Sequence, residues 1–324
     1  MSTKTDEDTP LPPIRHLVLS GGGICGFTFY GALRESHRMG AWDIRNIESI
    51  HGCSIGSVFA VIISLKSFFT WEEIDSYLIK RPWHQLFTFD LQTMIQSIHT
   101  CGLFHMKYIE QFYTPLFHAV DISLNITMRE LYEKTGIDIH IIVTRLTGNA
   151  SIGKFEMIDV SHTTHPDWKV IEAVYCSSAL PLVFSPHIID GDYYIDGGFM
   201  CNYPINQCIE RCGNPDEIFG LSNSVVEKDE SLAKESAEPV NLVKTLFDFL
   251  LMLINSMWYK ITMKPSKVNA QFNCTMDAFD MGDMYRTATS EEYRMELMDI
   301  GSTQIHSVKP IQQRMTLNRL TEDE

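Results

Sequence analysis

The chain has no surplus of positive charge: 26 lysines and arginines stand against 41 aspartates and glutamates, for a formal net charge of −15. A nucleic-acid backbone is held by concentrated cationic surface, so this balance predicts no nucleic-acid partner. It also removes simple attraction to anionic lipid as a route to a membrane. The first thirteen residues, MSTKTDEDTPLPP, have no basic stretch leading into an apolar core. That predicts a disordered tail over 1–13, no signal peptide and a cytoplasmic location. No uninterrupted apolar run reaches the length of a membrane span. The nearest approach, residues 240–259, is broken by Asn241, Lys244, Asp248 and Asn255 on one face of a helix, leaving Leu246, Phe249, Leu250, Leu253 and Met257 on the other. Such a helix is amphipathic, packed on the core or laid against lipid as a peripheral contact. The eight cysteines are scattered, and Cys208 and Cys212, at helical spacing, find no second pair to complete a zinc set. Reduced thiols and no bound metal are expected. No internal repeat is present.

What the chain does have is the apolar mass of a globular domain, 44% hydrophobic against 21% charged over 324 residues. Residues 16–19 read as a short strand running into glycines, 27–37 as a helix stopped by Gly40, 47–51 as a second strand. Residues 54–66 follow as a second helix, with Val58, Val61, Ile62 and Leu65 on one face. Units of this kind predict an α/β fold, a three-layer α/β/α sandwich with a mostly parallel central sheet. Further on, Thr70 with Glu73 and Thr127 with Glu130 fit capping boxes, and Gly136 ends the second of these helices. Strands are expected at 137–147 and 152–161, joined by a turn at Gly148-Asn149. A helix over 167–179 then runs up to Pro181, a strand over 187–195 delivers Asp196, a helix spans 203–211 and a strand 217–222. Residues 226–239 are charged and poor in hydrophobics, a flexible loop. A helical C-terminal part covers 240–324, with an irregular middle and a last helix over 290–301. We read one domain over 14–324, with its principal blocks in 14–222.

Three local patterns carry chemistry. Gly21-Gly22-Gly23-Ile24-Cys25-Gly26 lies between a strand and a helix, where backbone amides are free to bind negative charge. Such a loop serves either a dinucleotide, with Asp43 about 20 residues on as the ribose-binding acid, or an oxyanion formed during acyl transfer. Gly52-Cys53-Ser54-Ile55-Gly56, again between strand and helix, fits a nucleophile elbow, with a plain serine N-cap as the competing reading. Asp196-Gly197-Gly198 ends a strand. Taken alone it reads as a turn, yet a serine hydroxyl needs a base, and a well-held aspartate can be one.

In this order the three blocks resemble the patatin-like phospholipases. The likeness extends to the run Ser178-Ala179-Leu180-Pro181-Leu182-Val183-Phe184 and to Asn202 and Pro204 after the aspartate. It covers about residues 14–222 and, more weakly, the 290–301 helix. The resemblance implies a lipid acyl hydrolase with a Ser54–Asp196 dyad, no metal and no cofactor. The amides of Gly22, Gly23 and Ile24 would form the oxyanion hole, with Gly21, Gly26, Gly52, Gly56, Gly197 and Gly198 as motif glycines. It departs from the family at Cys25, where many members carry Arg or Lys. Transacylation on the same dyad and a catalytically silent lipid-binding relative remain open. So do a Ser–His–Asp triad using His306 or His187 and a dinucleotide-binding oxidoreductase. Phe68, Phe69, Trp71, Trp83, Phe87 and Phe89 form an aromatic segment suited to the core or to an acyl-binding wall.

Overall fold

The computed structural model describes residues 11–87, 101–149, 152–225, 266–276 and 281–314. The first part of the chain gives β1 (His16–Leu19), α1 (Cys25–Arg38), β2 (Ser49–Cys53), α2 (Ile55–Ser64), α3 (Trp71–Lys80), β3 (Gly102–Phe104), α4 (Met106–Ala119) and α5 (Met128–Thr135). Next come β4 (Asp138–Asn149), β5 (Ile152–Val160), α6 (Val170–Ser177), β6 (Leu182–Phe184), β7 (His187–Ile189), β8 (Asp192–Asp196) and α7 (Gly198–Cys201). The last elements are α8 (Ile205–Cys212), β9 (Ile218–Val225), β10 (Ala270–Met276), α9 (Met281–Thr289) and α10 (Glu291–Gln304).

Eight strands form one sheet, in which β10, β9, β1, β2 and β4 lie side by side and parallel. β5 and β8 pair antiparallel with β4, and β7 pairs antiparallel with β8. The parallel core is the expected one, and side-chain alternation explains its helices on both faces. Leu17, Leu19, Ile139, Ile141 and Val143 point into the large cluster that includes buried residues of α1, α2, α4, α5 and α6. Val18 and Ile218 point the other way, onto Ile205 and Cys208 of α8, and Ile142 onto Cys201 of α7. Both capping boxes are formed, and Gly136 takes the left-handed conformation at the end of α5.

Strand β4 determines where the chemistry sits. Ile141 and Ile142 pair with β2 on one side and β5 on the other, whereas residues 143–146 pair with β8 and β5. β2 and β8 therefore share one edge of β4. β2 runs with β4 and stops at Cys53 opposite Ile142; β8 runs against it and stops at Asp196 opposite Val143. The two strand ends meet head to head, which brings residues 54 and 196 together.

Several boundaries differ from expectation. Gly148 and Asn149 continue β4, paired with Gly153 and Ile152, because the ladder carries on through them. The expected strand over 187–195 is two strands, folded back at Asp190 and Gly191, whose φ values of 52° and 87° suit a tight hairpin. The irregular C-terminal stretch contains β10 and α9. The loop at 226–239 and the amphipathic helix at 240–259 lie outside the described residues. Among those described, no helix is long and apolar enough to cross a membrane.

Candidate active site

Ser54 links β2 to α2 with φ 51° and ψ −124°, a backbone region that L residues avoid and that costs about 1–3 kcal/mol where it occurs. Its neighbours hold it there. The Ser54 amide donates to Ser177 Oγ at 2.9 Å, and that hydroxyl donates to the Ile142 carbonyl at 2.6 Å. Ser57 Oγ donates back to the Ser54 carbonyl at 2.6 Å. Gly52 and Gly56 bracket the turn. The first turn of α2 follows at once, so its N-terminal dipole lies beside the hydroxyl.

Asp196 is wholly buried. Its Oδ2 accepts the Ser54 hydroxyl at 2.6 Å and its Oδ1 accepts the Gly198 amide at 2.8 Å. Burial raises the carboxyl from its ordinary 3.8 to about 7, against the lowering pull of those two hydrogen bonds. Among the described residues no lysine, arginine or histidine forms an ion pair with it. Gly197 donates to the Ser177 carbonyl at 3.2 Å and the Asp196 amide to that of Ala179 at 3.0 Å. The segment leading into the Ser178–Phe184 run thus supports both members of the pair.

The glycine loop lies against the same spot. A Cβ on Gly21 would stand 3.1 Å from Ser54 Cβ and 2.4 Å from Asn202 Oδ1. Gly22 and Gly23 take φ values of 151° and 53°, open to glycine and strained for other residues. The amides of Cys25, Gly26 and Phe27 fold back onto the carbonyls of Gly22, Gly23 and Ile24 at 3.1, 3.2 and 3.1 Å. The amides of Gly22, Gly23 and Ile24 themselves have no acceptor among the described residues. Cys25 and Gly26 are buried at the start of α1.

The competing arrangements find less support. His187 pairs with Glu172 at 2.8 Å and His306 with Glu35 at 3.4 Å, so both histidines considered for a triad are engaged elsewhere. Asp43, the candidate ribose acid, caps a short turn and binds Arg45. Among the described residues no group of three or more His, Cys, Asp or Glu side chains could hold a metal ion. In the aromatic segment, Trp83 is buried on Phe112, and Trp71 packs on His37 and Tyr30. Phe87 joins an apolar cluster with Phe104, Leu180, Ile195 and Phe199, the last two flanking Asp196 in sequence. Phe89 lies outside the described residues. Two participants escape a reading of the sequence. Ser177 precedes the Ser178–Phe184 run by one residue, and Asn223, on β9, accepts from Ser20 Oγ and Asn202 Nδ2, each at 3.2 Å.

A family model described as patatin-like phospholipase matches residues 17–209, more than half of the 324-residue chain. A probable lipid hydrolase of Invertebrate iridescent virus 6 is 29% identical over 196 residues. That match covers 60% of this chain and 63% of the viral protein, less than two thirds of its length. An uncharacterized protein of Acanthamoeba polyphaga mimivirus is 24% identical over 261 residues, 78% of this chain and 79% of that one. The crystal structure of VipD from Legionella pneumophila shares the fold, with a TM-score of 0.52 at 15% identity, covering 94% of this chain and 67% of its own. The family match spans the glycine loop, the elbow at Ser54 and the strand end at Asp196, and the chain belongs to the patatin-like phospholipase family.

Proposed function

We propose that the protein is a lipid acyl hydrolase of the phospholipase A type, with Ser54 as nucleophile and Asp196 as general base. The observation that carries this is the 2.6 Å hydrogen bond from Ser54 Oγ to a buried carboxylate. Ser54 Oγ attacks the ester carbonyl carbon as its proton passes to Asp196 Oδ2, and the carbonyl electron pair moves onto oxygen. The amides of Gly22, Gly23 and Ile24 meet that oxyanion. Collapse of the tetrahedral species breaks the ester C–O bond, and the departing alcohol takes the proton from Asp196. Water, deprotonated by the same carboxylate, then attacks the acyl-serine carbonyl carbon; collapse breaks the C–Oγ bond, Ser54 Oγ takes the proton back from Asp196, and the fatty acid leaves. Every step uses side chains and amides of this chain, with no metal ion or cofactor. A base titrating near pH 7 suits this work, being ionised in good part at neutral pH yet strong enough to take a proton.

A lipid is favoured as substrate by the family match and by the viral relative named a probable lipid hydrolase. We infer that the protein meets it at a membrane or micelle surface. A fluorophosphonate probe should label the wild-type protein and leave Ser54→Ala unlabelled, and only the wild type should release fatty acid from a mixed phospholipid extract. Equal labelling of Ser54→Ala would sink the assignment.

A further inference from the structure

Asn223 lies on β9, and its side chain meets the glycine loop at Gly22. Its Oδ1 accepts from Asn202 Nδ2 at 3.2 Å and from Ser20 Oγ at 3.2 Å. The single Ser20 hydroxyl hydrogen is shared with the Gly21 carbonyl, 3.0 Å from Ser20 Oγ, so Ser20 bridges Asn223 to the loop; with Oδ1 facing Ser20 and Asn202, the amide end is turned to Gly22. Asn223 Nδ2 stands 2.6 Å from the point a Cβ on Gly22 would occupy. Asn202 completes the grip, with its backbone carbonyl accepting from the Gly21 amide at 2.9 Å and its Nδ2 donating to the Gly21 carbonyl at 3.4 Å. Side chains from the end of β1, from β9 and from the segment after Asp196 therefore converge on Gly21 and Gly22.

We propose that Asn223 is a positioning residue for the oxyanion loop, a clamp that sets the Gly22 and Gly23 amides and keeps its own N–H end beside them. This rests on the reading of Gly22, Gly23 and Ile24 as oxyanion donors. Those amides lie in a loop with two consecutive residues at positive φ, and such a backbone holds its aim only where its surroundings fix it. Oxyanion stabilisation depends on that aim, because donors preorganised toward developing charge need no rearrangement at the moment of reaction. The orientation of the carboxamide matters for the same reason. Its N–H end places partial positive charge beside the loop, whereas an oxygen there would oppose the negative charge that forms.

Steady-state hydrolysis of a soluble p-nitrophenyl ester tests this with three variants. Asn223→Asp keeps the shape and both accepted hydrogen bonds but turns an anionic oxygen toward Gly22. Its kcat should fall on the order of 100-fold, the size of losing one oxyanion donor, with KM held within about two-fold. Ser20→Ala releases the acceptor end without touching Ser54 or Asp196, and its kcat should fall roughly five-fold, a smaller loss of preorganisation. A merely structural asparagine would tolerate the near-isosteric aspartate. An Asn223→Asp kcat within about two-fold of wild type, or a loss carried by KM, overturns the clamp. Should Asn223→Asp fail to fold, Ser20→Ala decides, and an unchanged kcat overturns it. Ser54→Ala separates the two claims. If it is inactive while Asn223→Asp runs at the wild-type rate, only the clamp falls; if it hydrolyses at the wild-type rate, the dyad falls and the clamp with it.

Discussion

The two ends of the parallel sheet treat buried charge in opposite ways. At the C-terminal end, Asp196 is sealed from solvent with a hydroxyl and one amide for company. At the N-terminal end, His16, Ser49 and Asp138, the first residues of β1, β2 and β4, line a cavity of about 1020 Å³ with His140, His162 and Arg211. Here Asp138 and its near neighbour Asp159 have basic partners. Asp138 sits between His140 at 3.1 Å and His162 at 2.7 Å, and Asp159 between His140 at 2.9 Å and Arg211 at 3.2 Å. Burial pushes the Asp138 carboxyl up and the His140 ring down, but the hydrogen bonds between them prevail, leaving Asp138 below its ordinary range and His140 above. A compensated carboxylate is locked in one protonation state and serves the fold. An uncompensated one is poised between two states and can move a proton.

The sharpest way to break that contrast is Asp196→Asn. Turnover should fall roughly 1,000-fold or more, as expected for loss of a general base. Stability should move the other way. A carboxyl raised from 3.8 to about 7 in the folded state destabilises the fold progressively as pH rises between those values. At pH 8 the asparagine variant should therefore be the more stable by a few kcal/mol, since each tenfold change in a proton equilibrium is worth about 1.36 kcal/mol. Thermal unfolding at pH 8 and at pH 4 checks this, and a variant less stable at pH 8 would make Asp196 a structural residue. The wild-type rate should itself rise through about pH 7 and level off above it, falling about ten-fold per pH unit on the acid side. A profile flat down to pH 5 would place the base elsewhere.

At the opposite end the same experiment should give the reverse result. His140→Leu leaves Asp138 and Asp159 each short of a donor and should cost about 3 kcal/mol of unfolding free energy, as for breaking a buried ion pair. The kcat of the folded fraction should stay unchanged. Denaturant unfolding paired with esterase assays tests both halves, and a fall in kcat at unchanged stability would erase the distinction between the two ends.

How much of this the sequence displays depends on the reach of each interaction. The elbow, the glycine loop and both capping boxes are written within a few residues of themselves, and they are legible. Asp196 is not legible from its own pattern, since Asp-Gly reads first as a hairpin turn. The hairpin is there, but six residues earlier, at Asp190-Gly191. What distinguishes the two is the pairing of residues 193–196 with β4, a contact some fifty residues away in sequence that no local window contains. Only the family resemblance carries Asp196 to the site. Ser177 and Asn223 act across 123 and 203 residues, respectively, and side-chain hydrogen bonds of that reach leave no local trace. The miss at β10 is of another kind. Ala270, Phe272 and Cys274 are buried and alternate with Gln271 and Asn273, so the strand period is present within a stretch that reads as irregular.

The subtlest difference between the ends lies in His51, which neighbours His140 across β2 and β4 and stacks on it with ring centroids 4.2 Å apart and planes 7° from parallel. Burial first, and then repulsion from His140, hold His51 well below its ordinary 6.5. The unfolded chain takes up this proton before the folded one does, so stability should be lost as pH falls below 6.5, by at most about 1.4 kcal/mol per pH unit for a single group. His140 has the opposite sign: its pKa is raised, so its contribution is present below the unfolded value and lost as pH rises through the folded one. The two partly cancel in the wild type. His51→Phe keeps a flat ring on His140 and removes one titration, so its stability relative to wild type should improve steadily from pH 7 to pH 5, while its pH–rate profile, set by Asp196, should not move. If the gap between the two proteins stays constant with pH, His51 is not the acid-sensitive member of the stack. If the rate profile shifts as well, the two ends of the sheet are coupled and the division between a structural and a reactive pole fails.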